Sequence, residues 1–376
     1  MRVLLTCGGT AGHINPAVAV ASKLIKDNPD CEILFVGAQD RMETKLVPEE
    51  GFEISTVRIT NLSRSISVKG LIHNFNTLRN VVSSTRQANR IIMDFKPDVV
   101  VGTGGYVCYP VLTAANALHI PTIIHESNAQ PGLTTKLLAK KADRILVGFE
   151  HCREAYPDTN KVIVTGTPVR QAFYLNNGNE SDNKTEKEDK PLVLSFWGSL
   201  GAEHMNNVML NLFPLMKKGR FRLVHVTGSM YYKSFMERIA QICPDYSSYG
   251  VEIYEYLRDM PHVMKTADLV ICRAGASTLS ELTFIGKPSI LVPSPNVTAN
   301  HQEKNARMLE KDGAARVLLE GEFDAEKLLK EINMMISNRE VLKSMGKSAA
   351  KLSQKDAAEK ICCIIRSVAG YSLGGE

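Results

Sequence analysis

The chain has 376 residues, an ordinary composition and a formal net charge of +5 at pH 7. This length predicts two or three domains, each large enough to bury its own core. The mild charge does not indicate nucleic-acid binding, and no apolar run approaches the length of a membrane span. The eight cysteines are scattered without a CxxC pair, which is typical of buried free thiols in a reducing cytoplasm.

The first half of the chain alternates apolar strands with helices. Short runs rich in Val and Ile predict the strands RVLLTC, EILFVGA, ISTVRI, VVVGTG, TIIHE, RILVGF and KVIVTGT. Longer segments between several of them have helical periodicity. Buried strands that alternate with helices predict a parallel sheet covered on both faces.

A polar stretch then interrupts this pattern, which starts again after it. Positions 176–190 are almost free of apolar residues and predict a flexible linker or insertion. The fold class is therefore α/β, with two doubly wound, Rossmann-like domains facing each other across a cleft. We expect one domain at 1–175, the linker at 176–190 and a second domain at 191–350. A helix at 351–376 would pack back on the first domain.

Three strand ends in the first half carry glycine-rich loops. They lie in LLTCGGTAGH, VVVGTGGYVCYP and HESNAQPG. Because the carboxyl ends of parallel strands meet at one edge of a sheet, the three loops together predict a ligand site there. For the first loop alone, a tight turn without a ligand is an equal alternative.

Several single residues near these loops suit chemistry on a charged substrate. His13 lies at a predicted helix start, where the helix dipole disfavours imidazolium and leaves the neutral ring that a general base needs. Arg170 could clamp a phosphate with paired donors. The alternatives are an exposed histidine without a role and a surface arginine. His125 and Glu126 could instead form a structural hydrogen-bonded pair, an interpretation that we favour for Glu126.

The second half contains RAGASTLSE between a strand and a helix. Gly275 through Thr278 would place backbone N–H groups and two hydroxyls at a helix N-terminus, which suits a diphosphate. Glu281 could accept both hydroxyls of a ribose, or form a capping box with Thr278.

A polar helix start follows the next strand end. Asn300, His301 and Gln302 could contact a sugar there, or simply begin an ordinary polar helix. The chain has no HExxH motif, no DxD triplet and no clustered carboxylates, so we expect no metal site. Helix ends and arginine would then stabilise a diphosphate leaving group.

Taken in order, these motifs resemble those of the MurG family of glycosyltransferases. The similar segments are GGTAGHINPA, GTGGYVCYP, HESNAQPG, TGTPVR, WGSLGAEHMN, YLRDM, RAGASTLSE and HQEKNA, which reach to about residue 320. The resemblance implies a GT-B fold, a membrane-facing acceptor domain followed by a nucleotide-sugar domain, and UDP-N-acetylglucosamine as co-substrate without a tightly bound cofactor. It implies inverting transfer to the C4 hydroxyl of the muramyl sugar of lipid I, undecaprenyl-pyrophosphoryl-MurNAc-pentapeptide. The product would be lipid II for peptidoglycan synthesis, and thus for cell shape and division.

The resemblance also implies roles for individual residues. His13 matches the candidate base, Leu257 the residue beside uracil, and Gln302 a contact to the donor sugar. The full donor-binding set is Thr10, Ala11, Gly12, Asn128, Arg170, Ser199, Leu257, Ala276, Ser277, Thr278, Leu279, Ser280, Glu281 and Gln302. Loops that receive the acceptor pyrophosphate would include Gly8, Gly9, Gly104 and Gly105.

Three positions depart from the family's usual pattern. Ala11 replaces a glycine, and its methyl group is tolerable only if its φ angle is negative. Trp197 also replaces a glycine, and we expect it to add bulk beside the cleft. His301 stands where a glutamine is common. None of these departures removes a chemical group of the site, and Ala11 and His301 are the two that bear on the choice of sugar.

The resemblance further implies peripheral attachment to the cytoplasmic face of the cell membrane, with an anionic lipid surface and cell-wall synthesis proteins as partners. An apolar patch rimmed by cations suits such a surface. The apolar candidates are Ile66, Leu71, Ile72, Phe75 and Leu78, and the cations are Lys69, Arg79, Lys136, Lys140, Lys141 and Arg144. A helix that faces the core is the alternative.

Two other functions remain open from the sequence. One is another GT-B enzyme, such as a diacylglycerol glycosyltransferase or a UDP-N-acetylglucosamine 2-epimerase. The other is a non-catalytic scaffold that binds a nucleotide sugar.

Overall fold

The computed structural model describes residues 1–59, 68–174, 190–198, 201–216, 219–297 and 300–371, with side chains of the helix Val68–Phe95 described from Asn80 on. The chain divides into two compact units. The first comprises Met1–Arg170 and Gln354–Glu376, and the second comprises Gln171–Ser353. Each unit has its own parallel sheet with helices, which confirms the predicted α/β class.

The first unit contains a seven-stranded parallel sheet in the order β3-β2-β1-β4-β5-β6-β7. Its strands are β1 Arg2–Cys7, β2 Glu32–Ala38, β3 Ile54–Val57, β4 Val99–Gly104, β5 Thr122–Glu126, β6 Arg144–Val147 and β7 Val162–Val164. Strand order reverses between β1 and β4, which are neighbours. A crevice outside the strand ends forms at such a reversal, and this is where doubly wound sheets bind ligands.

The helices of this unit in the first half of the chain are α1 Ala11–Asp27, α2 Glu43–Glu49, α3 Val68–Phe95, α4 Cys108–Ala117 and α5 Leu133–Ala139. Alternate residues of β1 enter different cores. Val3 and Leu5 pack in the cluster that contains Ile14 of α1, whereas Leu4 packs in the cluster that contains Val111 of α4. Burial on both faces explains why the strands are continuously apolar.

The second unit contains a six-stranded parallel sheet in the order β10-β9-β8-β11-β12-β13. Its strands are β8 Leu192–Phe196, β9 Arg222–Val226, β10 Val251–Tyr254, β11 Leu269–Cys272, β12 Ser289–Leu291 and β13 Arg316–Val317. Its helices are α6 Glu203–Leu212, α7 Tyr232–Ile242, α8 Met260–Thr266, α9 Ala276–Ile285, α10 His301–Lys311, α11 Ala325–Ile336 and α12 Arg339–Lys351. The strand order again reverses, here between β8 and β11.

The last helix, α13 Ala357–Val368, belongs to the first unit. Ile361 and Ile365 are buried in the same cluster as the apolar face of α1. At the surface of this contact Arg366 pairs with Asp27 at 2.6 Å. Helix α13 is therefore held on α1 by buried apolar contacts and by an ion pair at their edge.

All eight cysteines are free, and seven of them are buried. Burial raises the pKa of the Cys108 thiol to about 12. A thiol with so high a pKa is a poor nucleophile. Within the described residues, no helix combines the length and apolarity needed to cross a bilayer.

Candidate functional site

The first two glycine loops contact each other at the ends of β1 and β4. The Gly8 N–H donates to the Gly104 carbonyl at 3.2 Å. Gly105 has a φ of +90°, and a Cβ atom there would overlap the Gly8 backbone. Gly9 also has a positive φ, +85°. Glycine is thus needed both for the backbone conformation and for the close approach of the two loops.

His13 lies in the first turn of α1, beside both loops. Its Nδ1 is 3.0 Å from the Gly8 carbonyl oxygen, and Thr10 Oγ1 is 3.4 Å from the same nitrogen. Because a carbonyl only accepts hydrogen bonds, Nδ1 carries the proton, and Nε2 of the neutral ring holds the lone pair. This is the arrangement that a general base requires.

The backbone and the neighbouring loop also position His13. Thr103 Oγ1 donates to the His13 carbonyl at 2.7 Å. Gly104 has a φ of +122°, and a Cβ atom at this position would lie 2.5 Å from His13 Cδ2. The imidazole therefore occupies space that a side chain at position 104 would take.

The third loop, after β5, is organised by two buried polar residues. Glu126 accepts from the Asn128 backbone and side-chain amides at 3.0 and 2.9 Å, and from the Gly132 N–H at 2.9 Å. His125 donates from Nε2 to the Gly166 carbonyl at 2.9 Å, and burial lowers its pKa. Glu126 holds the loop and orients Asn128, but its hydrogen bonds do not pair it with His125. His125 bonds to the Gly166 carbonyl through Nε2, and its Nδ1 lies 3.3 Å from the hydroxyl oxygen of Ser127 in this loop.

Three further predicted site positions of the first unit are Ala11, Gly12 and Arg170. Ala11 is the first residue of α1 and is not among the described non-glycine residues with positive φ, so its methyl group is tolerated. Gly12 follows it in the same turn. Arg170 is partly exposed and is the last residue of this unit's first segment.

In the second unit, α9 begins directly after β11. Its N-cap is Gly275, which makes no side-chain capping bond. The first N–H groups of the helix are therefore not satisfied by a capping side chain, and such groups suit an anion. Ser277 and Thr278 are partly exposed, whereas Leu279 and Ser280 are buried and Ser280 Oγ donates to the Ala276 carbonyl at 2.9 Å.

The alternative of a capping box between Thr278 and Glu281 is wrong. A capping box needs Ser or Thr at the N-cap, and Thr278 instead lies inside the helix. Glu281 is further along α9 and is only 7% exposed. Its carboxyl group therefore does not cap the start of α9.

The remaining donor-site candidates of the second unit lie on loops or, for Gln302, in the first turn of α10. Gln302 accepts from the Ser294 N–H through Oε1 at 2.8 Å, so its amide NH₂ is the end that a ligand could use. Asn300 has a left-handed backbone with φ +51° and occupies the N-cap position of α10 without a side-chain capping bond, and His301 is the first residue of that helix. Leu257 is partly exposed after β10. Ser199 lies outside the described residues, as do the side chains of Ile66, Lys69, Leu71, Ile72, Phe75, Leu78 and Arg79.

The expectation for Trp197 is wrong. Its indole is 3% exposed and packs in the apolar core of the second unit. The Arg273 guanidinium lies 5.9 Å from the ring centroid and is held by Glu320 and the Val292 carbonyl. A large apolar ring gains more from this core than from water, and the added bulk is accommodated there.

Glu43 is a residue of this site that the sequence did not reveal. This residue is fully buried, and its carboxylate contacts the Gly9 N–H at 3.1 Å. In the sequence it looks like one more charge in the polar segment DRMETK. The signal that could have found it is a pair of glycines, Gly8 and Gly37, whose missing side chains make room for it.

In the part of the chain that is described, no group of three or more His, Cys, Asp or Glu residues could hold a metal ion.

Comparisons with known proteins agree with this geometry. The N-terminal domain of glycosyltransferase family 28 matches residues 3–147, and the C-terminal domain of the same family matches residues 192–361. A UDP-N-acetylglucosamine--N-acetylmuramyl-(pentapeptide) pyrophosphoryl-undecaprenol N-acetylglucosamine transferase of Acetivibrio thermocellus is 42% identical over 378 residues, covering all of both chains. The protein with this name from Caldanaerobacter subterraneus subsp. tengcongensis is 43% identical, covering 98% of this chain and all of its own.

Solved structures show the same architecture. The crystal structure of Acinetobacter baumannii MurG matches with a TM-score of 0.75 and 27% identity, covering 97% of this chain and 99% of that one. A UDP-GlcNAc 2-epimerase from Neisseria meningitidis matches with a TM-score of 0.65 at 17% identity, covering 96% of this chain and 98% of that one. At 17% identity, the second match supports a shared fold and nothing further.

Proposed function

The chain belongs to glycosyltransferase family 28, and from that premise we propose that it transfers N-acetylglucosamine from UDP-N-acetylglucosamine to the C4 hydroxyl of the muramyl sugar of lipid I. The product is lipid II for peptidoglycan synthesis. The observation that carries this proposal is the full-length similarity, at 42% and 43% identity, to two transferases whose names state this reaction. The hydrogen bond between His13 Nδ1 and the Gly8 carbonyl also supports it, because this bond leaves Nε2 to act as a general base.

The first unit would bind the acceptor and remove its proton. The loops of Gly8, Gly9, Gly104 and Gly105 would receive the acceptor pyrophosphate, as the family resemblance implies. The C4 hydroxyl would then donate its proton to Nε2 of His13, since Nδ1 is already protonated toward the Gly8 carbonyl.

The second unit would bind the UDP portion of the donor. Backbone N–H groups of Ala276, Ser277 and Thr278 face the diphosphate, supported by the N-terminal end of the α9 dipole. Leu279 and Ser280, which are buried in the same helix, complete the backbone segment that the family resemblance assigns to the nucleotide and phosphates. Glu281 accepts the ribose hydroxyls, Leu257 contacts uracil, and the Gln302 NH₂ donates to the sugar. The rest of the donor set takes the roles implied by the family, with Thr10, Ala11, Gly12 and Asn128 at the sugar and Arg170 and Ser199 at the diphosphate.

The reaction is a single displacement with inversion. The C4 oxygen forms a bond to the anomeric carbon as the bond from that carbon to the UDP oxygen breaks. The proton remains on His13, and the negative charge that develops on UDP is met by the α9 N-terminus and by Arg170. Attack from the face opposite UDP leaves a β linkage.

We also propose peripheral binding of the first unit to an anionic membrane. Leu133 and Leu137 lie four residues apart on α5 and are 64% and 50% exposed. Exposed lysines flank them at 136, 140 and 141, with Arg144 close in sequence. An exposed apolar pair surrounded by cations suits a lipid surface that carries negative charge. The same placement would bring the enzyme to its lipid-linked acceptor and to membrane-bound cell-wall synthesis proteins.

The test is release of UDP from UDP-N-acetylglucosamine, with and without a lipid I analogue. We expect release only when the analogue is present, and none when UDP-N-acetylgalactosamine replaces the donor. Consumption of the donor alone would indicate a 2-epimerase. Release that requires diacylglycerol would indicate a different lipid glycosyltransferase, and binding of UDP without turnover would indicate a scaffold. Each of these three results would overturn the proposal.

A further inference from the structure

A buried carboxylate lies beneath the first glycine loop. Glu43, at the start of α2, is 0% exposed. One of its oxygens accepts from the Ala38 N–H at 2.9 Å, and the other accepts from the Gly9 N–H at 3.1 Å. Burial of a carboxylate is costly unless hydrogen bonds compensate it, so these two bonds are what keep it there. Glu43 therefore joins the end of β2 to the loop after β1.

Two glycines make the space for this side chain. A Cβ atom at Gly8 would overlap Glu43 Oε1, and one at Gly37 would lie 2.5 Å from Glu43 Cγ. Neither glycine is among those with positive φ. Backbone conformation therefore does not require glycine at either position, and the volume of Glu43 does.

The carboxylate is connected to His13 through a single peptide group. The Gly9 N–H that Glu43 binds and the Gly8 carbonyl that His13 Nδ1 binds belong to the same planar unit. With this orientation, the carbonyl faces the imidazole and the N–H faces the carboxylate. A flip of this peptide would break both bonds at once and would turn an N–H toward Nδ1.

The flip has a chemical consequence for the base. Facing an N–H donor, Nδ1 would have to accept, so the proton of the neutral ring would move to Nε2. Nε2 would then have no lone pair for the acceptor hydroxyl. Glycine on both sides of the peptide gives little steric resistance to such a flip, so the orientation depends on its hydrogen bonds.

We propose that Glu43 is a positioning residue for the transfer reaction: through the Gly8–Gly9 peptide it holds His13 with Nδ1 protonated and Nε2 free to accept. The kinetic consequence rests on the proposed function, whereas the effect on the His13 tautomer does not. Glu43 acts through the peptide and through His13.

The first experiment compares Glu43→Gln with Glu49→Gln, which makes the same charge change at an exposed position of the same helix. A glutamine has one acceptor oxygen for two N–H groups, and its NH₂ group is a better partner for a flipped Gly8 carbonyl. We expect kcat to fall about 10- to 100-fold, with KM for UDP-N-acetylglucosamine and the affinity for UDP within about twofold of the parent. A Glu43→Gln enzyme with the kcat of Glu49→Gln would overturn the proposal.

The second experiment reads the tautomer directly, by nitrogen NMR of protein labelled with ¹⁵N-histidine. The His13 signals are assigned by their loss in His13→Gln. We expect a protonated Nδ1 and an unprotonated Nε2 in the parent and in Glu49→Gln, and protonation of Nε2 in Glu43→Gln. An unchanged tautomer in Glu43→Gln would contradict the proposal. If the parent released no UDP with lipid I, the proposed function would fail while this comparison would still decide the role of Glu43.

A third variant covers the case in which Glu43→Gln does not fold. Gly37→Ala keeps the carboxylate but places a methyl carbon 2.5 Å from Glu43 Cγ, which displaces the side chain. We expect the same change of the His13 tautomer. A folded Gly37→Ala protein with the parental tautomer and parental kcat would overturn the proposal.

Discussion

His13 Nδ1 lies 3.0 Å from the carbonyl oxygen of Gly8. This hydrogen bond determines which nitrogen of the ring can accept a proton, and it places that nitrogen, Nε2, in the first turn of α1 at the reversal of strand order. The role proposed for His13 is thus a consequence of backbone geometry at the ends of β1 and β4, and it leads to a direct prediction.

His13→Ala should lower turnover by about 10²- to 10⁴-fold, because the acceptor hydroxyl loses the group that takes its proton. UDP affinity, measured by calorimetry, should stay close to that of the parent, since His13 is not among the residues proposed to contact UDP. His151→Ala, at an exposed position of the same unit, is the control. Turnover of His13→Ala within a few-fold of this control would remove His13 from the role of base.

Gly104→Ala should damage catalysis through the same imidazole. The new Cβ would lie 2.5 Å from His13 Cδ2 and would push the ring away from the Gly8 carbonyl. We expect kcat to fall at least about tenfold, a barrier increase of about 1.4 kcal/mol.

Gly51→Ala is the matched control, because Gly51 also has a positive φ but has no heavy atom within 4 Å of the point where a Cβ would lie. Both variants should lose about 1 to 3 kcal/mol of unfolding free energy from backbone strain. Equal kcat values in the two variants would show that contact with His13 is not what Gly104 avoids.

Much of the first unit could be predicted because each of its signals is local in sequence. Val- and Ile-rich runs that end at Gly8 and Gly104 indicate both the strands and the loops, and parallel pairing then brings the loops to one edge. Glu43 could not be found in this way. Its partner Gly9 is 34 positions away in sequence, and its neighbours are those of an ordinary polar helix start. Only the three-dimensional contact shows that positions 8 and 37 are both glycine because a side chain at either would overlap Glu43.

Two interpretations of the second unit, one an open alternative and one an expectation, are excluded by the structure for a similar reason. The spacing of Thr278 and Glu281 fits a capping box, but the helix begins at Ala276, before Thr278, so the spacing has no capping role. Trp197 stands where the family usually has a glycine of a ligand-site loop, so the sequence predicts that its side chain lies beside the ligand site. Its side chain turns into the core instead, where apolar neighbours and Arg273 surround it. Sequence position alone does not determine the direction of a side chain at the end of a strand.

Glu281→Gln should weaken UDP binding and reduce discrimination against 2′-deoxy-UDP. A carboxylate can accept from both ribose hydroxyls as a charged acceptor, whereas an amide is a neutral and weaker one. Calorimetric titrations with UDP and 2′-deoxy-UDP would measure both effects, with Glu237→Gln, an exposed glutamate of α7, as the control. Unchanged UDP affinity in Glu281→Gln would rule out the ribose contact.

His225 should make the second unit sensitive to acid. Burial lowers the pKa of this histidine to about 3, and its Nδ1 is 2.8 Å from Ser195 Oγ. The unfolded state, with a histidine pKa of about 6.5, therefore binds more protons between pH 6.5 and 3. Stability from this residue is complete above pH 6.5 and decreases as the pH falls. The loss at pH 5 is about 2 kcal/mol, from about 1.4 kcal/mol per pKa unit.

The double variant Ser195→Ala with His225→Phe tests this prediction, because Phe213 and Phe235 already pack against the His225 ring. Denaturant unfolding at pH 7.5 and pH 5 should show a smaller loss of unfolding free energy in the double variant than in the parent. His204→Gln, at an exposed position of α6, should behave as the parent. An equal loss in the double variant and the parent would exclude His225 as the source.

Replacing Leu133 and Leu137 by serine should weaken binding to vesicles that contain anionic lipid. The change removes the two exposed apolar side chains of α5 but keeps the lysines around them. Serine at Leu215 and Met230, which are exposed on the second unit, provides the control. Co-sedimentation with vesicles would measure the difference, and equal binding of the two double variants would exclude α5 as the membrane contact.

The central claim is most directly tested by the structure of the product. The protein is incubated with UDP-N-acetylglucosamine and a lipid I analogue, and the lipid-linked sugar is isolated for mass spectrometry and for NMR of its glycosidic linkage. We predict that the analogue gains one N-acetylglucosamine, attached through a β linkage to O4 of the muramyl sugar. An unmodified analogue, or a sugar attached at another oxygen or through an α linkage, would contradict the account.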